Sequence, residues 1–411
     1  MTTSQKTLIG VLVLLIVLLG AGVFLARKSG SSVVTQGGTS SFPESSSSTS
    51  GETTNNTTIS RVTGNETATS SALASSPSGA FVPILKKLSQ NAIAGAAALP
   101  GKVPFVRYIE RETGHVIDIS PVTLETTTVS NTTLPKTQTA TWSPKGDFVI
   151  LRTLGSKGLT NTAYAVPSAA GKEGTLVPFT FPKNATEIVF SPDSNKVFTL
   201  EQNGLGVSGK LIDLTTLAQK QIFSSALAEW TLSWTNPKAL TLTTKPSFGI
   251  GGFAVSLDEK GIQTNLLSNH PGLATLATPT GEHLLYSESD TRGLITYLFN
   301  TKTNESGEYD INTLPEKCVA SRIDKEFFYC AGPTAWPKGE LPDDWYKGLL
   351  HTDDQILGGG PGYDTELVIG NKADRGGEAL EATNLFLNET EQFLYFTNKR
   401  DGTLWSVQLY R

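Results

Sequence analysis

Ala140-Thr141-Trp142-Ser143-Pro144-Lys145-Gly146-Asp147-Phe148-Val149-Ile150-Leu151 reads as a strand ending in an aromatic residue, a tight polar turn and a second apolar strand. Pro144 and Gly146 mark the turn, and the β-branched Val149 and Ile150 mark the strand after it. The phrase recurs as Phe190-Ser-Pro-Asp-Ser, Trp234-Thr-Asn-Pro-Lys and Ala277-Thr-Pro-Thr-Gly, then more weakly as Ala320-Ser-Arg-Ile-Asp and Leu387-Asn-Glu-Thr-Glu. Its anchor positions Ser143, Ser191, Thr235, Thr278 and Ser321 lie 48, 44, 43 and 43 residues apart. A period in the forties built from strand and turn signals is the signature of a β-propeller. The next anchor, Asn388, follows only after 67 residues, so the sixth repeat carries an insertion.

A second marker keeps step with the first, an apolar strand running into a polar turn. Its copies are His115-Val-Ile-Asp-Ile-Ser, Leu211-Ile-Asp-Leu-Thr, Phe253-Ala-Val-Ser-Leu-Asp, Tyr297-Leu-Phe-Asn-Thr, Glu366-Leu-Val-Ile-Gly and Leu404-Trp-Ser-Val-Gln-Leu. A degenerate first repeat at Ala98-Leu-Pro-Gly-Lys brings the count to seven. The last repeat has room for only three strands, Asn384–Leu387, Phe393–Thr397 and Leu404–Leu409. The orphan strand Phe81-Val-Pro-Ile-Leu-Lys-Lys-Leu supplies the missing fourth, closing the ring and removing two unpaired edges. The expected fold is therefore all-β, a seven-bladed propeller over residues 80–411 closed by an N-terminal strand. A six-bladed ring with one stray repeat is the alternative.

Two segments precede the ring. Leu8 to Leu25 is an uncharged apolar run of 18 residues, about 27 Å as a helix, long enough for a bilayer core. It ends in Phe24-Leu-Ala-Arg-Lys without a small-x-small cleavage site, so residues 1–28 read as an uncleaved transmembrane anchor. Residues 29–79 are almost wholly Ser, Thr, Gly, Asn and Pro and cannot bury enough apolar surface to offset the entropy of ordering. They read as a disordered stalk with a root-mean-square reach of roughly 40 Å. Arg27 and Lys28, set against Lys6 and the α-amino group, weakly favour a cytoplasmic ring by the positive-inside rule. Stalk composition and the cysteines argue the other way. They place the protein in the cell membrane as a single-pass protein, with its C-terminal propeller outside the cytoplasm.

The two cysteines, Cys318 and Cys330, are equidistant from Asp324 in the turn of the sixth repeat. Equal offsets from a hairpin turn set residues opposite each other, which suits a cross-strand disulfide; two buried free thiols are the alternative. No His or third Cys stands nearby to make a metal site. Asn-x-Ser/Thr sequons occur at Asn55, Asn56, Asn65, Asn131, Asn184, Asn304 and Asn388, mostly as expected by chance in so Asn- and Thr-rich a chain.

Trp142-Ser-Pro-Lys-Gly-Asp and its relatives resemble the repeats of the TolB-like and WD-type propeller superfamily over residues 80–411. The likeness implies a fold and not a ligand, and nothing matches the α/β domain that accompanies the TolB propeller. Leu314-Pro-Glu-Lys-Cys-Val and Pro342-Asp-Asp-Trp-Tyr-Lys-Gly resemble membrane-anchored propeller proteins of small uncultured bacteria. That likeness implies the same layout of anchor, stalk and ring.

The net charge of −5 excludes an ordinary nucleic-acid surface. The least repeat-like stretch, Ala331 to about Gly362, holds Trp336, Asp343, Asp344, Trp345 and Tyr346, with His351, Asp353 and Asp354 close behind. Aromatics and carboxylates on a loop outside the repeat suit contact with a protein or glycan; hydrophobic capping of the ring by Trp345 and Tyr346 is the plainer reading. Gly358-Gly-Gly-Pro-Gly lacks the Lys-Ser/Thr of a phosphate loop and reads as a flexible turn. The four His are scattered, no nucleophile elbow is spaced correctly, and no cofactor or metal is expected. Non-catalytic binding of an envelope protein or glycan is the expected function. An extracellular carbohydrate-active hydrolase or lyase is the competing class, signalled by carboxylates clustered at one end of the channel.

Overall fold

A computed structural model describes residues 82–410, Lys157 excepted. The apolar run 8–25, the stalk and three of the sequons lie outside the described residues. Among the described residues no helix is long and apolar enough to cross a membrane.

Seven four-stranded antiparallel sheets form seven blades. Blades 1 to 6 are each continuous in sequence. Their first strands are Ile93–Leu99, Thr137–Trp142, Ala185–Phe190, Trp230–Asn236, Ala274–Ala277 and Cys318–Ala320. The seventh blade begins with Ala382–Leu387, continues with Phe393–Asn398 and Leu404–Gln408, and takes its outer strand, Ile84–Lys87, from the other end of the chain. Ile84 lies opposite Gln408 and Lys87 opposite Trp405, so the orphan strand does close the ring. The first strand of every blade touches that of the next, and the last touches the first, which makes these the inner strands around a central channel.

The recurring Ser/Thr/Asn has a specific task. Its side-chain oxygen accepts the backbone N–H five residues on, at the start of the second strand: Phe148 to Ser143 at 2.9 Å, Lys196 to Ser191 at 2.9 Å, His283 to Thr278 at 3.1 Å and Phe393 to Asn388 at 2.8 Å. The residue three beyond the anchor is left-handed in each case, at Gly146, Ser194, Gly281 and Glu391. Thr235 departs from this pattern. Its hairpin is tighter, pairing Asn236 with Ala239, and its hydroxyl donates instead to the Ala277 carbonyl of the next blade at 2.7 Å. These turns share one face of the ring, here called lower; inner strands begin on the upper face. Asn388, used as a turn cap and buried, is shielded as a glycosylation acceptor, whereas Asn131, Asn184 and Asn304 are exposed.

Blade 6 corrects two readings. Its third strand is Asp354–Gly360, and Glu366-Leu-Val-Ile lies in the outer strand Tyr363–Ile369. The glycine run is therefore strand rather than flexible turn, the turn itself being Pro361-Gly362. Close packing demands the glycines: a Cβ on Gly358 would lie 2.7 Å from the Phe327 ring, and one on Gly360 2.3 Å from the Glu326 carbonyl oxygen. Cys318 pairs directly with Cys330 across the first two strands, and the two form the expected disulfide. Strand pairing reaches Pro333 and resumes at Asp354, so residues 334–353 stand outside the sheet.

Candidate ligand site at the upper mouth

Residues 334–353 lie over the upper mouth as a strap carrying a one-turn helix, Asp343–Tyr346. Its polar tethers reach blades 4, 5 and 7. Asp343 accepts the Phe248 N–H at 2.5 Å and the Ser247 hydroxyl at 3.2 Å in blade 4. The Leu341 carbonyl accepts the Ser289 hydroxyl of blade 5 at 2.5 Å. Trp345 donates its indole N–H to Glu381, ahead of blade 7, at 2.8 Å. Beneath the strap, Leu294, Leu314, Leu341 and Trp345 make a buried apolar cluster, with Trp336, Tyr346 and Leu350 against its edge.

The sequence brought five residues forward here, and the fold divides them. Trp336 donates to the Asn312 carbonyl at 3.0 Å, Asp344 accepts the Glu340 N–H at 2.9 Å, and Asp343 and Trp345 hold the strap down as described. Only Tyr346 lines the open cavity beside the strap, its hydroxyl donating to Glu316.

Ionic pairs behind Trp345 fix this arrangement. Lys317, fully buried, donates to Asp354 at 2.7 Å and to Thr352 at 3.1 Å, and stands 5.1 Å from the Trp345 ring centre and 5.7 Å from that of Trp336. Glu381, also fully buried, accepts from Trp345 and from His351 at 2.9 Å, with Lys399 at 3.7 Å and Arg400 at 3.9 Å. Lys399 lies over the Trp345 ring at 3.7 Å and donates to the Trp345 carbonyl at 2.5 Å. Burial, with help from Lys317, holds the Lys399 ammonium below its ordinary pKa, while Glu381 pulls it back up.

The cavity measures about 340 Å³, within the size range of small-molecule sites. Its walls come from blade 3 (Thr186, Glu187, Gln202), blade 4 (Trp230, Thr231, Lys245) and the approach to blade 6 (Glu316), together with Tyr346 of the strap. Blades 3 and 6 are three apart in a ring of seven, so Glu187 and Glu316 face the mouth from across the channel. Burial raises both carboxyls above their ordinary range. Arg152 and Lys245 oppose this at Glu187; Tyr346, Lys317 and Lys399 oppose it at Glu316. Protein surrounds Glu316 on nearly every side, yet its surface stays exposed to the channel, and the water admitted there tempers the rise.

Sequence reasoning missed Glu187, Glu381 and Lys399. Glu316 and Lys317 were within reach, because they sit inside Leu314-Pro-Glu-Lys-Cys-Val, one of the two stretches that carry the resemblance to membrane-anchored propeller proteins. The other, Pro342-Asp-Asp-Trp-Tyr-Lys-Gly, folds back onto it through the Tyr346–Glu316 hydrogen bond and the Leu314–Leu341–Trp345 cluster.

No protein-family model matches the chain, and no curated protein matches it in sequence. In solved structures, it is similar to an oligogalacturonate lyase from Vibrio parahaemolyticus, with a TM-score of 0.53, 10% identity, and 80% of this chain and 96% of that one covered. It is also similar to the hydrazine synthase of Kuenenia stuttgartiensis, with a TM-score of 0.51, 12% identity and coverage of 81% and 99%. The likeness to TolB from Acinetobacter baumannii is looser, with a TM-score of 0.39, 12% identity and coverage of 72% and 60%. At such identities the shared property is the fold alone: the chain is a seven-bladed β-propeller.

Proposed function

We propose that this chain is a membrane-tethered, extracytoplasmic binding module that engages an envelope partner, protein or glycan, at the upper mouth of its propeller without catalysis. The observation that carries the reading is the cavity at that mouth, where the strap and two blades present polar groups the fold does not need. Three of the five strap residues, Trp336, Asp343 and Trp345, are spent on anchoring and Asp344 on bracing the strap internally, which makes the site rigid and leaves Tyr346 as its strap-borne contact. A rigid, pre-organised site loses little entropy on binding. The disulfide is in keeping with an oxidising compartment.

One observation favours the second reading, an extracellular carbohydrate-active hydrolase or lyase. Glu187 and Glu316 are two carboxyls with raised pKa sharing one cavity, as acid–base work on a glycoside requires. The test is capture of envelope proteins and glycans by the full chain and by Tyr346→Ala. Loss of a defined partner in the variant, with no turnover of bound glycan, supports the binding module. Glycan cleavage that disappears in Glu316→Gln replaces it with the enzyme.

A further inference from the structure

The cavity is unusual in its hydrogen-bond ledger. Thr186 donates its hydroxyl hydrogen to the Leu200 carbonyl at 3.2 Å, and Thr231 donates its own to the Thr243 carbonyl at 3.2 Å. Trp230 gives its indole N–H to the Leu227 carbonyl at 3.0 Å, and the Tyr346 hydroxyl is taken by Glu316. Arg152, behind Glu187, spends its guanidinium on Asn161 and on the Ala185 and Thr186 carbonyls. Lys245 is drawn to Glu229 at 3.6 Å. What the walls leave open toward the channel are chiefly acceptors: both carboxylate oxygens of Glu187, one of Glu316, the Glu229 carboxylate and the lone pairs of two threonine hydroxyls. Against these stand the donors of the Gln202 amide and of the Lys245 ammonium, which is held only by its ion pair with Glu229. Among the described residues Glu187 has no hydrogen-bond or ion-pair partner within 4.0 Å.

A site whose acceptors outnumber its donors, with three carboxylates to one ammonium, selects a ligand of donors. Sugar hydroxyls and peptide amides bring acceptors along with donors; an alkylammonium brings three donors and no acceptor on an apolar stem. Val207 and Ala228 in the cavity wall suit such a stem. A metal cation fits poorly, because among the described residues no three His, Cys, Asp or Glu side chains converge to hold one. We propose that the upper-mouth cavity takes the ammonium of a lysine side chain presented by a partner protein, between Glu187 and Glu316. The proposal rests on the binding-module reading and names its ligand. Burial raises both carboxyls even against the cations near them, Arg152 and Lys245 at Glu187 and Lys317 and Lys399 at Glu316, and an ammonium bound between them would offset that burial.

The test titrates acetyl-Ala-Lys-Ala-amide and its Nε-acetylated counterpart into the full chain, beside chitotetraose and its de-N-acetylated form. Saturable binding of the lysine peptide is expected. Nε-acetylation should weaken it at least tenfold, and Glu187→Gln and Glu316→Gln at least fivefold each, with no fall in melting temperature. Thr231→Trp, which fills the cavity, should abolish it. Equal affinity for the acetylated peptide, binding of a tetrasaccharide in place of the peptide, or no binding by any probe overturns the lysine assignment. In the first two cases, sensitivity to Thr231→Trp leaves the binding module standing. Envelope capture unchanged in Thr231→Trp removes that module as well.

Discussion

The two mouths of the channel are built from opposite kinds of sequence. At the lower mouth, successive blades repeat one turn, and Pro100, Pro144 and Pro192 with Lys145 and Arg322 surround an open space of about 510 Å³. Nothing there is longer than the repeat demands. At the upper mouth, the strap breaks the repeat, buries two ionic pairs and leaves unpartnered acceptors. A repeat specifies a scaffold, and departures from it mark where a scaffold has been given a task. The lower mouth teaches how the ring is made, the upper what the ring is for.

Four changes would break or sharpen this contrast. The largest effect is expected from Glu381→Ala, which strands the Trp345 N–H and leaves Lys399 without its carboxylate under the strap. A loss of about 3 kcal/mol by chemical denaturation is expected, against under about 0.5 kcal/mol for Lys145→Ala on the exposed lower rim. Equal small effects would mean the strap is not held by Glu381. Opening the disulfide with Cys318→Ala/Cys330→Ala removes a 12-residue cross-link beside Lys317, and roughly 3 kcal/mol of stability should go with it. Wild type measured with and without reductant should reproduce that difference; no reductant effect would argue for free thiols. Next, Ser143→Ala removes the acceptor for the Phe148 N–H and should cost about 1–2 kcal/mol. Thr278→Val should cost a similar amount, because the same bond recurs there; a large discrepancy between the two would show that the turns are not equivalent.

The smallest effect in stability is also the most diagnostic. A carboxyl whose folded pKa is raised stabilises the fold fully below its ordinary value of 4.5, and that contribution is lost as pH rises through the folded pKa. Glu187→Gln and Glu316→Gln should therefore match wild type in melting temperature below about pH 4.5. At neutral pH they should equal or slightly exceed it. A drop at neutral pH would mean these carboxylates are paired in the fold and free for no ligand.

The sequence announced most of this architecture through Ser143, Ser191, Thr278 and Asn388, because one hydrogen bond at a fixed offset leaves the same trace in each repeat. The orphan strand and the cysteine pair were legible for a related reason, since strand pairing is arithmetic in residue number. Blade 6 escaped where packing overrode composition: Gly358–Gly360 look like a hinge and are a strand, with Gly358 packed against Phe327 and Gly360 against the Glu326 carbonyl too closely for a Cβ. The site was half visible. Tyr346 lies in the insertion that breaks the period and Glu316 just ahead of the first strand of blade 6, whereas Glu187 sits at a register shift of an inner strand and acquires meaning only from what stands across the channel. Glu381 and Lys399 are ordinary loop residues until Trp345 is placed between them.

The seam in the seventh blade also sets a timetable. Ile84–Lys87 pair with Trp405–Gln408, so the first of the described strands must wait for the last of them, some 320 residues later. At about 5–20 residues per second, that is tens of seconds during which the nascent chain carries an unmated edge. Lys86 and Lys87 lie on that edge, where charge discourages premature partners. The ring is thus a clasp between the first and last of its described strands: it shuts only once Leu404–Gln408 has been made.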